Sequence, residues 1–219
     1  MQKEFDLAEL NTRYGPLTPE QRITELYKDF SKVLFTSSFG TTAVYLLHLF
    51  SKQRPGEKVY FLDTTYHFPE TLAYKNELTR AFKLNIVELR GEEWRNKFSR
   101  DDKTWEKDPD LCCSVNKVEP LEKVKPEFEV WVSGLMSSQN EYRNPLRVFE
   151  KKGNIIKFFP IIDVSESQAL EYIKANRLPV HPLREKGYNS IGCIHCTVPG
   201  KAREGRWINK SKTECGLHL

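Results

Sequence analysis

Val33-Leu34-Phe35-Thr36-Ser37-Ser38-Phe39-Gly40-Thr41-Thr42-Ala43-Val44-Tyr45-Leu46-Leu47-His48-Leu49-Phe50 is the stretch that decides the fold. Its first four residues are a short apolar run, as in a strand buried on both faces of a parallel sheet. From Ala43 the period changes. Ala43, Leu46, Leu47 and Phe50 recur at i, i+3, i+4 and i+7, the stripe of a helix. The loop between them is built of small residues. Such a loop lets backbone N–H groups and hydroxyls surround a phosphate, and the helix N-terminus adds partial positive charge. Ser37, Ser38, Phe39, Gly40 and Thr41 are therefore candidate ligand contacts. No Lys follows Gly40, so this is not the nucleotide loop that ends in Gly-Lys-Ser/Thr. An ordinary βα turn has the same composition, and the loop alone does not decide between the two.

The alternation continues on both sides. Upstream, Thr18-Pro19-Glu20-Gln21 reads as a capped helix start, with Ile23, Leu26, Tyr27 and Phe30 as its apolar stripe. Downstream, 59–62 reads as a second strand ending at Asp63 and Thr64, and 69–82 as a helix opened by Pro69. Segments 84–89, 130–132 and 155–159 read as further strands, and Ser165-Glu166-Ser167-Gln168 opens another helix. Strands alternating with helices imply right-handed βαβ units and a mostly parallel α/β sheet flanked by helices. Ligands on such sheets bind outside the carboxyl ends of the strands. The loops at 37–42, 63–68 and 134–143 start there. Residues 1–17 are expected as a loose arm, 18–176 as the α/β domain, and 177–219 as a tail, rich in Gly, Pro, Cys and basic residues, that helps build the site.

The chain has 219 residues, enough for one large domain with a substantial core. Apolar residues make up 39% and aromatics 12%, which argues against disorder. The net charge of +4 is too mild to indicate a nucleic-acid binder but suits a small anionic ligand. No apolar run approaches the roughly 20 residues of a membrane helix. The first residues show no secretory signal, so a cytoplasmic protein is expected. In that reducing setting the five cysteines point to metal binding or catalysis rather than disulfides.

The cysteines divide four plus one. Cys112-Cys113 and Cys193-Ile194-His195-Cys196 supply four thiolates, a set that suits Zn²⁺ or an iron–sulfur cluster. Adjacent cysteines have diverging side chains and are expected to strain the backbone in a small tetrahedral site, which favours the larger cubane. Cys215, in Glu214-Cys215-Gly216-Leu217-His218, is left over. A thiol there becomes reactive only in an electropositive setting. Lys117 follows Cys113 by one helical turn. Arg203 and Arg206 are three apart, placed to share a helical face, and Arg clamps oxyanions bidentately. For His48, His67 and His181 packing or capping is expected, and for Trp94, Trp105 and Trp131 a place in the core.

Cys112-Cys113-Ser114-Val115-Asn116-Lys117, Cys193-x-x-Cys196, Arg203-x-x-Arg206-Trp207 and Glu214-Cys215-Gly216-Leu217-His218 together resemble the assimilatory sulfonucleotide reductases. Leu62-Asp63-Thr64 and Phe68-Pro69-Glu70-Thr71 are similar to that family's second substrate loop. The resemblance runs from about residue 30 onward. It implies the adenine nucleotide α-hydrolase-like fold and a sulfonucleotide substrate, adenylylsulfate or 3′-phosphoadenylylsulfate. It implies a [4Fe–4S] cluster on Cys112, Cys113, Cys193 and Cys196. It also implies attack by Cys215 on sulfate sulfur to give S-sulfocysteine, then release of sulfite by thioredoxin or glutaredoxin. Substrate contacts are expected from Lys117, Gln139, Arg143, Arg203, Arg206 and His218, with the 37–41 loop, Asp63 and Thr64. No membrane or nucleic-acid partner is implied, and self-association stays open.

The chain departs from the family pattern in three places. The Ser37-Ser38-Phe39-Gly40 loop looks closer to the cluster-free reductases of the 3′-phosphorylated substrate, whereas the cysteines look like the cluster-bearing adenylylsulfate enzymes. Thr65 stands where the family has Gly. Met136 and Ser137 stand where it has two arginines. Two other classes compete: an ATP-using adenylyltransferase-type enzyme of the same fold, whose Ser-Gly-Gly-x-Asp-Ser loop is absent here, and a zinc-binding interaction module.

Overall fold

The structure is a computed structural model that describes residues 5–208, 210, 212 and 214–217. Helix α1 (Leu7–Tyr14) is capped by the Asp6 carboxylate, and α2 (Pro19–Asp29) carries the Thr18/Gln21 capping box. Strand β1 (Val33–Thr36) leads into α3 (Ala43–Gln53), β2 (Lys58–Leu62) into α4 (Pro69–Phe82), and β3 (Asn85–Leu89) follows. A helical stretch comes next: α5 (Glu93–Asp101), α6 (Thr104–Lys107), α7 (Pro109–Cys113) and α8 (Glu119–Val124), with a π turn at Ser114–Val118 between the last two. Strands β4 (Val130–Val132), β5 (Phe149–Lys152) and β6 (Ile155–Phe158) and helix α9 (Glu166–Ala175) complete the core.

The six strands lie in the order β3-β2-β1-β4-β6-β5, all parallel except the edge strand β5. The connections from β1 run outward to β2 on one side and, later in the chain, to β4 on the other. The strand order therefore reverses between β1 and β4, and a crevice opens at their carboxyl ends. Fully buried Val, Leu and Phe side chains on β1 and β4 fill both faces, as the short apolar runs require. One large apolar cluster joins β1, α3, α9 and the α1–α2 pair.

Two expectations fail and one strand was missed. Residues 7–14 are a helix, not a loose arm: Leu10 and Tyr14 are buried, and Tyr14 packs edge-on against Phe149 at 4.8 Å. The hairpin strand β5 was not legible, because Phe149-Glu150-Lys151-Lys152 shows no strand alternation. Trp94 is 69% exposed rather than core. Trp131 is buried as expected, with its indole N–H donating to Thr36 Oγ1 at 2.8 Å. The three histidines do pack or cap. His48 bonds the Tyr172 hydroxyl, His67 contacts the Leu62 carbonyl oxygen, and His181 accepts from Leu183 N–H.

Candidate active site

A cleft of about 490 Å³ opens at the switch point. Ser37, Ser38, Gly40 and Thr41 line one wall, at the open N-terminus of α3. Thr42, the residue before that helix, makes no side-chain cap bond, and Thr41 Oγ1 ties the loop to Asn189 O at 2.8 Å. Phe39 does not face the cleft. Its side chain is fully buried, 5.6 Å from the Phe61 ring, and its backbone sits at φ 51°. The Phe39 side chain is a core anchor that lets its neighbours turn, not a ligand contact.

Asp63 and Thr64 also lie off the cleft. Asp63 Oδ2 pairs with Arg90 at 2.6 Å, and Oδ1 accepts from Thr65 N–H. That turn puts Thr65 at φ 64°, a conformation costly for a β-branched residue and one that glycine would adopt freely. The buried Thr64 hydroxyl reaches Cys193 Sγ at 3.4 Å. It belongs to the cysteines instead.

The opposite wall of the cleft is cationic. Lys117, Arg143, Arg203 and Arg206 line it, with Gln139, Glu214 and Cys215. Arg203 and Arg206 are on a turn, not a helical face. That turn is held by pairing of Arg206 with Thr197 and by Trp207 N–H on Cys196 O. The Arg206 guanidinium stacks over the Trp207 ring at 4.2 Å and donates through Nε to Cys196 O at 3.3 Å. Gln139 accepts from Arg143 and so positions it. Met136 is buried in the core, and Ser137 N–H bonds Ile162 O, so neither substitutes for an arginine. His218 lies outside the described residues.

Glu214 is the residue the sequence reading missed. Its side chain is 1% exposed, and it pairs with Arg143 at 2.6 Å and Arg203 at 2.9 Å. Arg143 and Arg203 are thus not free anion clamps, and Arg203 Nε is buried without a hydrogen-bond partner. Burial and the neighbouring arginines push the Arg203 pKa down to about 10. The signal for Glu214 was its place beside Cys215 in a motif already noticed.

Cys215 lies against Cys113. The Cys113 thiol hydrogen-bonds the Cys215 sulfur and, despite burial, holds its pKa well below the ordinary thiol value. Lys117, the Leu217 backbone N–H and Arg206 add to the effect. Burial works against the Lys117 ammonium, but the facing sulfurs of Cys193, Cys215 and Cys113 raise its pKa nonetheless.

Below the cleft lies the cysteine cage, walled by Cys112, Cys113, Cys193, Cys196, Thr64, Tyr66, Trp105, Lys117, Arg206 and Trp207. Cys112 and Cys113 end α7 with helical backbone angles. The other pair is delivered by a turn at Ile194–Cys196, docked through Ile194 N–H on Tyr66 O at 2.8 Å. Burial, then repulsion from Cys193 and Cys196, pushes the Cys112 thiol up to about 11. Among the described residues no three His, Cys, Asp or Glu side chains are grouped to hold a single metal ion. The donor set nevertheless fits a sulfur-rich group. Asn116 Nδ2 approaches Cys112 Sγ at 3.8 Å, and the buried Trp207 indole N–H, on the cage wall, has no acceptor. His195 stacks on Trp105 at 3.9 Å beside it. Sulfur acceptors, aromatic shielding and adjacent cations are the surroundings iron–sulfur clusters use.

An adenine-nucleotide α-hydrolase-like sheet with a cationic cleft and a thiol in it defines the sulfonucleotide reductase class. Residues 32–199 match the phosphoadenosine phosphosulfate reductase domain, and the chain belongs to that family. It is 39% identical over 202 residues to the adenosine 5′-phosphosulfate reductase of Bacillus mycoides (strain KBAB4), covering 88% of this chain and 86% of that one. The corresponding Bacillus cereus (strain 03BB102) protein is 38% identical over the same shares. The crystal structure of phosphoadenylyl-sulfate reductase from Candida auris, a phosphate complex, superposes with TM-score 0.78 at 28% identity, over 90% of this chain and all of that one. The FMN adenylyltransferase of Candida glabrata shares the fold, with TM-score 0.62 at 16% identity over 92% of this chain and 69% of that one. Among the described residues no helix is long and apolar enough to cross a membrane.

Proposed function

We propose that this reductase of sulfate assimilation acts on adenylylsulfate through Cys215. The observation that carries the reading is the Cys215 thiol itself, on the cleft wall with Lys117 and Arg206, its pKa lowered by the adjoining Cys113 thiol and by those two cations. The thiolate attacks the sulfate sulfur. The S–O bond to AMP breaks, AMP leaves with that electron pair, and Cys215 carries the sulfonate. A dithiol reductant of the thioredoxin or glutaredoxin type then attacks the Cys215 sulfur, releasing sulfite and ending as a disulfide. Sulfate sulfur is shielded by negative oxygens, so the transition state needs fixed cations. Lys117, Arg206 and Arg203, which line the cleft, supply them. The reaction is placed in the cytoplasm, where thiols stay reduced.

Cys112, Cys113, Cys193 and Cys196 would hold a [4Fe–4S] cluster. When bound it supplies a fixed negative charge and polarisable sulfurs beside Lys117. As a ligand Cys113 would carry no proton, and Lys117, the Leu217 N–H and Arg206 would then be what favours the Cys215 thiolate.

The cleft's charge favours adenylylsulfate over its 3′-phosphorylated form. All four Lys and Arg side chains that line it gather at the Cys215 end; Glu166, which also lines it, is already paired with Arg184 at 3.0 Å. Away from Cys215 a 3′-phosphate would meet hydroxyls and that paired carboxylate, with no lining cation of its own. The test is sulfite release by anaerobically purified protein with thioredoxin and dithiothreitol, the two sulfonucleotides side by side. Preference for adenylylsulfate supports the reading, and preference for the phosphorylated form overturns it. Cys215→Ser is expected to abolish sulfite while visible cluster absorption stays. Substantial residual activity would rule out Cys215 as nucleophile.

A further inference from the structure

The carboxylate of Glu214 is surrounded. Oε2 accepts from Arg143 Nε at 2.7 Å, from the second arm of the Arg143 fork at 2.6 Å and from Asn140 Nδ2 at 3.2 Å. Oε1 accepts from Arg203 at 2.9 Å and from the backbone N–H of Cys215 at 2.9 Å. The partners come from two separate places. Arg143 and Asn140 belong to the loop after β4, and Arg143 is itself gripped by Gln139 and by Asn140 Oδ1 on its own N–H. Arg203 belongs to the turn that packs on the cysteine cage. One carboxylate thus ties three segments together, and the next residue along the chain is the nucleophile.

Sulfonucleotide chemistry needs Cys215 inside the cleft for attack and accessible to a second protein afterwards. Besides this, Leu217 packs on a small cluster, Lys157 reaches its carbonyl at 3.4 Å, and Lys210 and Lys212 hold the chain before Glu214 to Trp105 O, Glu106 O and the exposed Asp110 carboxylate. Charge-assisted bonds to a buried carboxylate are the strongest contacts the tail makes.

We infer that Glu214 is the positioning residue that latches the tail, holding Cys215 at the attack position through Arg143 and Arg203. The inference rests on the reading of Cys215 as nucleophile. Arg203 grips the latch from the turn on the cysteine cage, and Arg143 grips it from the loop after β4.

The experiment compares wild-type and Glu214→Gln protein, both with cluster, by hydrogen–deuterium exchange of the peptide carrying Glu214–Cys215–Gly216–Leu217, and by single-turnover sulfonation of Cys215 with adenylylsulfate read by intact mass. Gln keeps the shape and loses the charge. Loss of one charge-assisted bond predicts tail exchange about tenfold faster or more, with sheet amides unchanged. Sulfonation slows by a similar factor, while the half-saturating adenylylsulfate concentration moves by less than about threefold. Unchanged tail exchange overturns the inference. So does a raised half-saturation with an unchanged rate, which would make Glu214 a tuner of substrate affinity only. If the Gln variant does not fold, Arg143→Lys keeps the charge but loses the fork and must still speed tail exchange. Exchange does not depend on which thiol reacts, so activity surviving in Cys215→Ser would sink the nucleophile assignment separately.

Discussion

Gly192→Ala tests whether Arg206 works at the place the structure gives it. A Cβ on Gly192 would lie 2.3 Å from Arg206 Nη2, 2.5 Å from Cζ and 2.8 Å from Nη1. Ordinary carbon contacts need about 3.5 Å, so the guanidinium must retreat by roughly 1 Å. It is the end of a flexible side chain, and the Gly192 backbone is not in the left-handed region, so the fold should lose under about 1 kcal/mol. Function should lose more. The retreat pulls Arg206 from its seat over Trp207 and off the cleft wall, and a charge-assisted hydrogen bond is worth about 1.5–3 kcal/mol. The expected fall in kcat/KM for adenylylsulfate is roughly 10- to 150-fold, with a Tm shift of a few degrees at most. Arg206→Ala should match it, and the double variant should be no worse than either single, because both remove one interaction. Full activity in Gly192→Ala beside an impaired Arg206→Ala would refute the reasoning. So would effects that multiply.

Lys117→Ala should slow sulfonation of Cys215 by about 10-fold or more with little change in Tm, because Lys117 makes no hydrogen bond or ion pair among the described residues yet faces three cysteines. Rapid-quench mass measurement with the cluster absorbance as control checks this. Arg22→Met should cost about 3 kcal/mol in urea unfolding and leave the kinetic constants alone. Arg22 is 1% exposed and donates to Tyr14 O, Gly15 O, Pro160 O and both oxygens of Asp163, far from the cleft. Burial opposes the Asp163 carboxylate, but Arg22 outweighs it and lowers the pKa. That stabilisation is present above the unfolded carboxylate value and is lost as pH falls through the folded one. Stability of Arg22→Met should therefore depend less on pH at the acid end, and an unchanged acid limb would count against the pair.

The parallel strands and their helices were legible because each change of period lies in the chain itself: β1 into α3, Pro69 at the head of α4, the Ser165/Gln168 box at α9. What stayed hidden depends on distant partners. Helix α1 is stabilised by Phe149 and Phe158, more than a hundred residues away. Strand β5 has no pattern of its own and exists because β6 offers an edge. The cysteines and Lys117 could be read as a group from spacing and resemblance. Asp63, Thr64, Phe39 and Arg143 could not be sorted, since which way each side chain turns is decided by Arg90, Cys193, Phe61 and Glu214. Spacing assigns a residue to a loop, and only packing assigns it to one side of the loop.

The adjacent cysteines show why the cage and the nucleophile form one device. On a helix, successive side chains point about 100° apart. At the end of α7 that angle sends Cys112 toward Cys193 and Cys196 and Cys113 toward Cys215. The π turn that follows is a one-residue widening, and Lys117 sits on it, facing both cleft and cage. Shifting that helix by one residue would turn Cys113 away from the thiol and Lys117 away from the cleft together. A shared helix thus fixes three distances at once: sulfur to sulfur in the cage, Cys113 to Cys215, and Lys117 to both. A separated pair of cysteines could furnish the same sulfurs to the cage, but would leave the setting of Cys215 to independent elements. The adjacency of Cys112 and Cys113 is what makes the electrostatics of Cys215 depend on the cage.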